Sequence, residues 1–143
     1  MQRRETMKPR PKMRVLVVDD NEDSIIILKI VLGELGIQTI IPALTYREAE
    51  ARIAGEEEFD LILLSDQLPF NKGAGWKTIE PGEPNLGYHL IPIIKEYQRK
   101  AKIVGTGGIR NIPGTEKLDG EIDKQSKPHS LPRLIATLFP LPQ

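Results

Sequence analysis

The stretch Leu61-Ile62-Leu63-Leu64-Ser65-Asp66 decides the predicted fold of this chain. An apolar run of this length, without alternation of polar residues, predicts a strand that is buried on both faces of a parallel sheet. The stretch ends on a carboxylate, and ligands of open α/β sheets bind at the carboxyl ends of the strands. We therefore expect Asp66 to lie at the functional edge of the sheet.

The composition indicates one globular domain. The chain has 143 residues, a formal net charge of zero and no cysteine, so disulfides and thiolate chemistry are excluded. A neutral chain gives no electrostatic reason to expect binding to nucleic acid or to a membrane. Lys29 interrupts the apolar stretch Ile25–Leu32, which is too short to span a bilayer. No signal-peptide pattern is present, and we expect a cytoplasmic protein.

The chain divides into a short leader and a domain of alternating strands and helices. Residues 1–12 are polar and basic and are predicted to be disordered, and residues 13–143 form the domain. Five strands are predicted: Arg14–Val18, Ile37–Ile41 closed by Pro42, Leu61–Asp66, Lys102–Gly105 and Gly120–Lys124. Their alternation with helical segments predicts a doubly wound parallel sheet with helices on both faces.

The helical segments carry start signals and one ambiguity. Thr45 with Glu48 three residues later is a capping-box pattern. The segment Leu86–Lys100 is helical in character, but Pro92 means that the helix either begins near Ile91 or is kinked. Two other helices show apolar residues at helical spacing: Ile25, Leu28, Leu32 and Leu35 in the first, and Leu131, Leu134, Ile135 and Leu138 in the last.

Polar side chains follow four of the predicted strands. If the strand order is 2-1-3-4-5, the first and third strands are neighbours, and Asp19, Asp20 and Asp66 lie at one edge. Clustered carboxylates need a compensating cation, and Mg²⁺ is a hard ion that a few carboxylates hold while it shares a phosphate oxygen. Thr106 and Lys124 add a hydroxyl and an ammonium group. This set of groups suits the formation and hydrolysis of an aspartyl phosphate.

The chain resembles the receiver domains of two-component response regulators from about Met13 to Phe139. Four segments carry the resemblance: Val17-Val18-Asp19-Asp20, Leu63-Leu64-Ser65-Asp66 with Leu68-Pro69, Ile103-Val104-Gly105-Thr106-Gly107, and Gly120-Glu121-Ile122-Asp123-Lys124. Each segment alone is a weak signal, but four in the right order at successive strand ends form a specific one. The resemblance implies a flavodoxin-like sheet with strand order 2-1-3-4-5.

The resemblance also implies roles for the acidic residues. Asp66 would be the phosphoacceptor. Asp20 and Asp66 would bind Mg²⁺ directly, together with the backbone carbonyl of Leu68. Asp19 would act on the ion mainly through water.

Two further groups would contact the phosphoryl group in such a domain. Thr106 would hydrogen-bond a phosphoryl oxygen, and Lys124 would pair with the phosphoryl group. The family lysine is usually followed by a cis-proline, whereas Lys124 is followed by Gln125 and the rival Lys127 is followed by Pro128. We prefer Lys124, because a strand that ends at Lys127 would have to bury Lys124 and Gln125.

Other departures concern how a signal would leave the domain. Glu121 occupies the position three residues before Lys124, where the family usually carries an aromatic switch residue. The segment Gln67–Asn85 contains an insertion that is too long for an ordinary connection between a strand and a helix. The helix expected after Thr106 also lacks a clear pattern. We therefore expect an atypical output surface.

These observations predict a stand-alone signalling module and not a classical enzyme. A sensor histidine kinase or a phosphotransfer protein would donate the phosphoryl group, and a downstream protein target would respond to the modified domain. The alternative is a receiver-fold adaptor that binds its partner without phosphorylation. A third hypothesis is a phosphatase with Asp19 as nucleophile, but Asp19-Asp20-Asn21 fits the Asp-x-Asp pattern of such enzymes poorly.

Overall fold

The structure, a computed structural model, describes residues 10–69, 86–106, 118–122 and 130–140. A five-stranded parallel sheet with the order β2-β1-β3-β4-β5 forms the centre of the molecule. The strands are β1 (Arg14–Val18), β2 (Thr39–Ala43), β3 (Leu61–Leu64), β4 (Lys102–Gly105) and β5 (Gly120–Glu121). The predicted doubly wound sheet and its strand order are confirmed.

Helices cover both faces of the sheet. They are α1 (Glu22–Glu34), α2 (Tyr46–Ile53), α3 (Ile91–Tyr97) and α4 (Ser130–Leu138). Because successive side chains of a strand point to opposite faces, Leu16 and Val18 pack with α2 and α3, whereas Val15 and Val17 pack with α1 and α4. All four residues of β3 are fully buried, as the apolar run predicts.

Two helices begin at capping residues, and the sequence identifies one of them, Thr45. Asn21 caps α1, where its side-chain oxygen accepts a hydrogen bond from the Ser24 N–H at 3.1 Å. Thr45 caps α2 and accepts from the Glu48 N–H at 3.1 Å. The Glu48 carboxylate in turn accepts from the Leu44 N–H at 2.9 Å, one residue before the cap. These bonds satisfy backbone donors that have no partner within the helix.

The second strand differs from its prediction. Pro42 lies inside β2 and pairs in register with Val17, so the prediction that Pro42 ends the strand is wrong. β2 is the outermost strand on its side of the sheet. A proline is tolerated there, because its missing N–H can face away from the ladder.

The region of Pro92 resolves the ambiguity in the sequence. Leu86–Leu90 form a short 3-10 helix, and the α-helix proper begins at Ile91 with Pro92 in its first turn. Proline is accommodated at this position because the first N–H groups of a helix have no intrahelical partner. Of the two alternatives that the sequence leaves open, the structure shows the helix start near Ile91.

The chain also makes a turn before β1. Arg10–Lys12, which the sequence assigns to the leader, form one turn of 3-10 helix, and the Met13 N–H donates to the Arg10 carbonyl at 3.1 Å. In the part of the chain that the structure describes, no helix has the length and apolar character needed to cross a membrane.

A buried glutamine joins α3 to the segment before β3. Gln98 follows α3 and has only 6% of its surface exposed. Its Nε2 donates to the carbonyls of Ile53 at 3.0 Å and Glu57 at 2.8 Å, and its Oε1 accepts from the Phe59 N–H at 3.0 Å. One side chain therefore satisfies three backbone groups of the segment that leads into the central strand.

Candidate functional site

The ends of β1 and β3 bring two buried carboxylates to the same edge of the sheet. Val18 pairs with Leu64 in register, and the Ser65 N–H donates to the Val18 carbonyl at 3.0 Å. Asp19 and Asp66 follow these strand ends closely and are 1% and 2% exposed, respectively. Buried carboxylates are rare unless they are paired or bind a cation. The two side chains are therefore candidates for a functional role.

Asp19 has a structural task as well. Its Oδ1 accepts a hydrogen bond from the Asn21 N–H at 3.0 Å, and its own N–H donates to the Ala43 carbonyl at 3.0 Å. These bonds hold the turn between β1 and α1.

Thr106 brings a buried hydroxyl to the end of β4. Its N–H donates to the Leu64 carbonyl at 3.0 Å, which places it beside the end of β3. The residue is 1% exposed, and its Oγ1 has no hydrogen-bond partner among the described residues. A buried hydroxyl without a partner costs roughly 1–3 kcal/mol, so such an atom is typical of a position where a ligand completes the bonding.

The chain after β3 is fixed at several points. The Ser65 Oγ donates to the Gln67 carbonyl at 3.0 Å and lies 3.3 Å from the Gln67 N–H, which donates to it. Leu68 is fully buried, and the Pro69 carbonyl accepts from the Tyr46 N–H at 2.8 Å. Burial, with a smaller contribution from the nearby Glu50 carboxylate, raises the pKa of the Tyr46 phenol above its ordinary value. This phenol is therefore uncharged at neutral pH.

The 3-10 helix Leu86–Leu90 packs against the same edge of the sheet. The Gly87 N–H donates to the Asp66 carbonyl at 3.1 Å, and a Cβ on Gly87 would overlap the Ser65 carbonyl oxygen. Tyr88 covers β4, because a Cβ on Gly105 would lie 2.6 Å from its hydroxyl. Glycine is thus required at position 87 for close approach of the two backbones.

The sequence interpretation misses Ser65 and Gly87 as contributors to this edge. In the sequence, Ser65 is only the polar end of an apolar run, and Gly87 lies inside a predicted helical segment. A glycine in a helical pattern often marks a close backbone contact, and that signal could have identified Gly87. The hydrogen bonds of Ser65 depend on the geometry of the following turn and leave no pattern in the sequence.

The potential metal ligands at this edge of the sheet suit a hydrated ion and not one that is enclosed by side chains. Within residues 10–69, 86–106, 118–122 and 130–140, no three acidic or histidine side chains are arranged so that together they could hold a metal ion. Mg²⁺ in proteins is usually bound by one or two carboxylates and keeps several waters. One carboxylate from Asp66 after β3 and one from the half-buried Asp20 after β1 would fit such a hydrated ion, which the buried Asp19 would meet through water. These carboxylates do not fit an ion enclosed by protein side chains.

The two candidate lysines, Lys124 and Lys127, lie outside the described residues. Glu121 is paired in register with Gly105, and its Oε2 is buried without a hydrogen-bond partner in the described part of the chain. The position that the resemblance assigns to an aromatic switch therefore holds a half-buried carboxylate.

An open cleft lies away from this edge. It has a volume of about 290 Å³ and is lined by residues that include Phe59, just before β3, and Tyr97, at the end of α3. These residues flank the opposite, amino-terminal end of the strands. The candidate site is therefore an edge with buried polar groups and not the cleft.

The comparisons with known proteins identify structural neighbours only. No protein-family model matches the chain, and no curated protein sequence matches it. A CheY-like receiver domain protein from Methanospirillum hungatei JF-1 is 22% identical over 89% of this chain and 93% of that chain, with a TM-score of 0.67. The N-terminal domain of a response regulator/sensory box/GGDEF protein from Carboxydothermus hydrogenoformans is 18% identical over 88% of this chain and 93% of that chain, with a TM-score of 0.66.

A third solved structure carries ligands. The response regulator TrrA from Thermotoga maritima, in complex with Mg²⁺ and BeF, is 23% identical over 85% of this chain and 98% of that chain, with a TM-score of 0.59. Identities this low establish similarity of fold. The chain therefore has the fold of response-regulator receiver domains.

Proposed function

We propose that the chain is a signalling module that accepts a phosphoryl group on Asp66 in a Mg²⁺-dependent reaction. The observation that carries this proposal is the Thr106 hydroxyl, which is buried, has no hydrogen-bond partner within the described ranges and lies one strand away from Asp66. A phosphoryl oxygen at this edge would give the hydroxyl an acceptor. The Asp66 carboxylate and the Thr106 hydroxyl would then both contact the same phosphoryl group.

In this reaction a phosphoryl group moves from an oxygen or nitrogen atom of the donor to a carboxylate oxygen of Asp66. A carboxylate oxygen of Asp66 forms a bond to phosphorus while the bond from phosphorus to the donor's leaving group breaks. Thr106 donates a hydrogen bond to a phosphoryl oxygen and so stabilises the charge on the transferred group. When bound, Mg²⁺ compensates the negative charge of the carboxylates and the phosphoryl oxygens. Asp20, Asp66 and the Leu68 carbonyl would hold it, and Asp19 would act through water.

The partners follow from the same chemistry. A sensor histidine kinase or a phosphotransfer protein would donate the phosphoryl group in the cytoplasm, and a downstream protein target would distinguish the modified domain from the unmodified one. A structural neighbour from Burkholderia pseudomallei, with a TM-score of 0.58, contains a phosphorylated aspartic acid and a calcium ion. This neighbour and the Thermotoga complex with Mg²⁺ support the proposal by analogy of fold.

The direct test is phosphoryl uptake from a small donor. The full chain, incubated with acetyl phosphate and Mg²⁺, is expected to gain the mass of one phosphoryl group, and peptide mapping is expected to place that group on Asp66. Chelation of Mg²⁺ with EDTA should prevent the gain, because the negative charges are then uncompensated. Absence of uptake with every donor tested would contradict the proposal. Rapid turnover at Asp19 would indicate a phosphatase.

A pair of variants distinguishes the two candidate lysines. Lys124→Ala is expected to lower the rate of phosphoryl uptake by about tenfold or more, because an ammonium group that neutralises the transferred phosphoryl group is lost. Lys127→Ala is expected to leave the rate within about twofold. The initial rate of labelling by acetyl phosphate measures both variants. The reverse result would assign the role to Lys127.

A phosphorylation-independent adaptor is the second candidate function. The observation that favours it is Glu121, a half-buried carboxylate where an aromatic switch residue is expected. Such a domain would bind its target equally well with and without Mg²⁺ and acetyl phosphate. The uptake experiment separates the two functions, because only the signalling module becomes labelled.

A further inference from the structure

Ser65 immediately precedes Asp66, the proposed phosphoacceptor. It is 3% exposed and lies between the end of β3 and Asp66. Its N–H belongs to the sheet, since it donates to the Val18 carbonyl at 3.0 Å. Its hydroxyl points to the chain that follows Asp66, so the residue connects the strand with the turn.

The hydroxyl fixes two consecutive peptide groups. It accepts from the Gln67 N–H, which belongs to the peptide between Asp66 and Gln67, at 3.3 Å. It donates at 3.0 Å to the Gln67 carbonyl, which belongs to the peptide between Gln67 and Leu68. Because peptide groups are planar, these two bonds set the path of the backbone from the carboxylate-bearing residue to Leu68.

Other segments hold both ends of this turn, and the Ser65 hydroxyl holds the peptides between them. Gly87 donates to the Asp66 carbonyl, and the Pro69 carbonyl accepts from Tyr46, so both ends of the turn are held by other segments. The buried Leu68 side chain adds a packing contact. Between these points, the Ser65 hydroxyl orients the intervening peptides.

We infer that Ser65 is a positioning residue that sets the Leu68 carbonyl relative to the Asp66 carboxylate, and so the affinity of this edge for Mg²⁺. The inference depends on the proposed function, in which both groups hold the ion. It makes the affinity sensitive to a side chain that touches neither the ion nor the phosphoryl group. Groups that orient metal ligands commonly change metal affinity by about 10- to 100-fold when they are removed.

The test uses two variants that remove the hydroxyl in different ways. Ser65→Ala deletes it, and Ser65→Cys keeps a side chain of similar size with only a weak donor and acceptor. Calorimetric titration with Mg²⁺ is expected to show a dissociation constant about tenfold higher in both variants. The rate of acetyl phosphate labelling at low Mg²⁺ is expected to fall to the same extent and to recover at saturating Mg²⁺.

Asp119→Ala is the matched control for a loss of stability. The Asp119 carboxylate accepts from the Ile103 N–H at 2.8 Å, a bond that joins the residue before β5 to β4 near the start of that strand. This variant is expected to lose stability to urea without any change in Mg²⁺ affinity. Wild-type affinity in Ser65→Ala, or an equal loss of affinity in Asp119→Ala, would overturn the inference. Wild-type affinity in Ser65→Cys alone would assign the effect to packing and would also overturn it.

The same experiment reports on the proposed function separately. If the wild-type chain binds Mg²⁺ and is labelled while Ser65→Ala behaves identically, only the inference about Ser65 fails. If the wild-type chain neither binds Mg²⁺ nor becomes labelled, the proposed function fails, and the inference about Ser65 fails with it.

Discussion

We expect Asp66→Asn to abolish phosphoryl uptake: with acetyl phosphate and Mg²⁺, the labelled fraction should fall by at least about a hundredfold, to the background of the assay. The asparagine side chain is almost the same size, so the buried position remains filled. Its neutral amide is a poor nucleophile towards phosphorus, and the loss of one negative charge also weakens the attraction for Mg²⁺. Intact-mass spectrometry before and after incubation measures the change.

Asp60→Asn is the matched control for this prediction. Asp60 precedes β3, whereas Asp66 follows it, and its carboxylate accepts from the Arg14 N–H at 2.8 Å. The variant removes a carboxylate at the opposite end of the same strand. It is expected to be labelled like the wild-type chain. Persistent labelling of Asp66→Asn would show that the acceptor is a different residue.

Gln98→Ala is expected to lower the free energy of unfolding by about 3 kcal/mol or more, a larger loss of stability than either Ser65→Ala or Asp119→Ala should cause. The variant removes three hydrogen bonds and leaves the carbonyls of Ile53 and Glu57 and the N–H of Phe59 without their partner. Each buried backbone group without a partner costs roughly 1–3 kcal/mol. Urea unfolding followed by circular dichroism measures the difference.

Two further glutamine variants separate hydrogen bonding from volume. Gln98→Glu keeps the size and an acceptor, but a carboxylate would face two carbonyl oxygens, so we expect a loss at least as large. Gln38→Ala removes an exposed side chain of the same type and is expected to change stability by less than about 0.5 kcal/mol. A loss below about 1 kcal/mol in Gln98→Ala would mean that the buried network contributes little.

The central part of the fold could be predicted because burial leaves a clear pattern in the sequence. β3 is buried on both faces and appears as an unbroken apolar run, and β1 and β4 match their predicted bounds. The sequence does not show that β2 lies at the edge of the sheet, because that position depends on which strands pair. A proline is tolerated in an edge strand, so the predicted end of the strand at Pro42 is wrong and β2 continues through Pro42 to Ala43.

The candidate site could be predicted only in part. Parallel strands end at the same edge, so the positions of Asp19, Asp66 and Thr106 follow from the strand order. The buried state of the Thr106 hydroxyl and the close approach of Gly87 to Ser65 arise from contacts between distant segments. Such contacts depend on the packed backbone and not on any local sequence pattern.

The shortness of β5 has a thermodynamic consequence. This strand contributes two residues, and the bonds that flank it join Asp119 to Ile103 at 2.7 Å and Ile122 to Gly105 at 2.8 Å. Regions with few buried contacts and hydrogen bonds open most readily, so among the described strands we expect amide hydrogen exchange to be fastest at the border that carries Glu121.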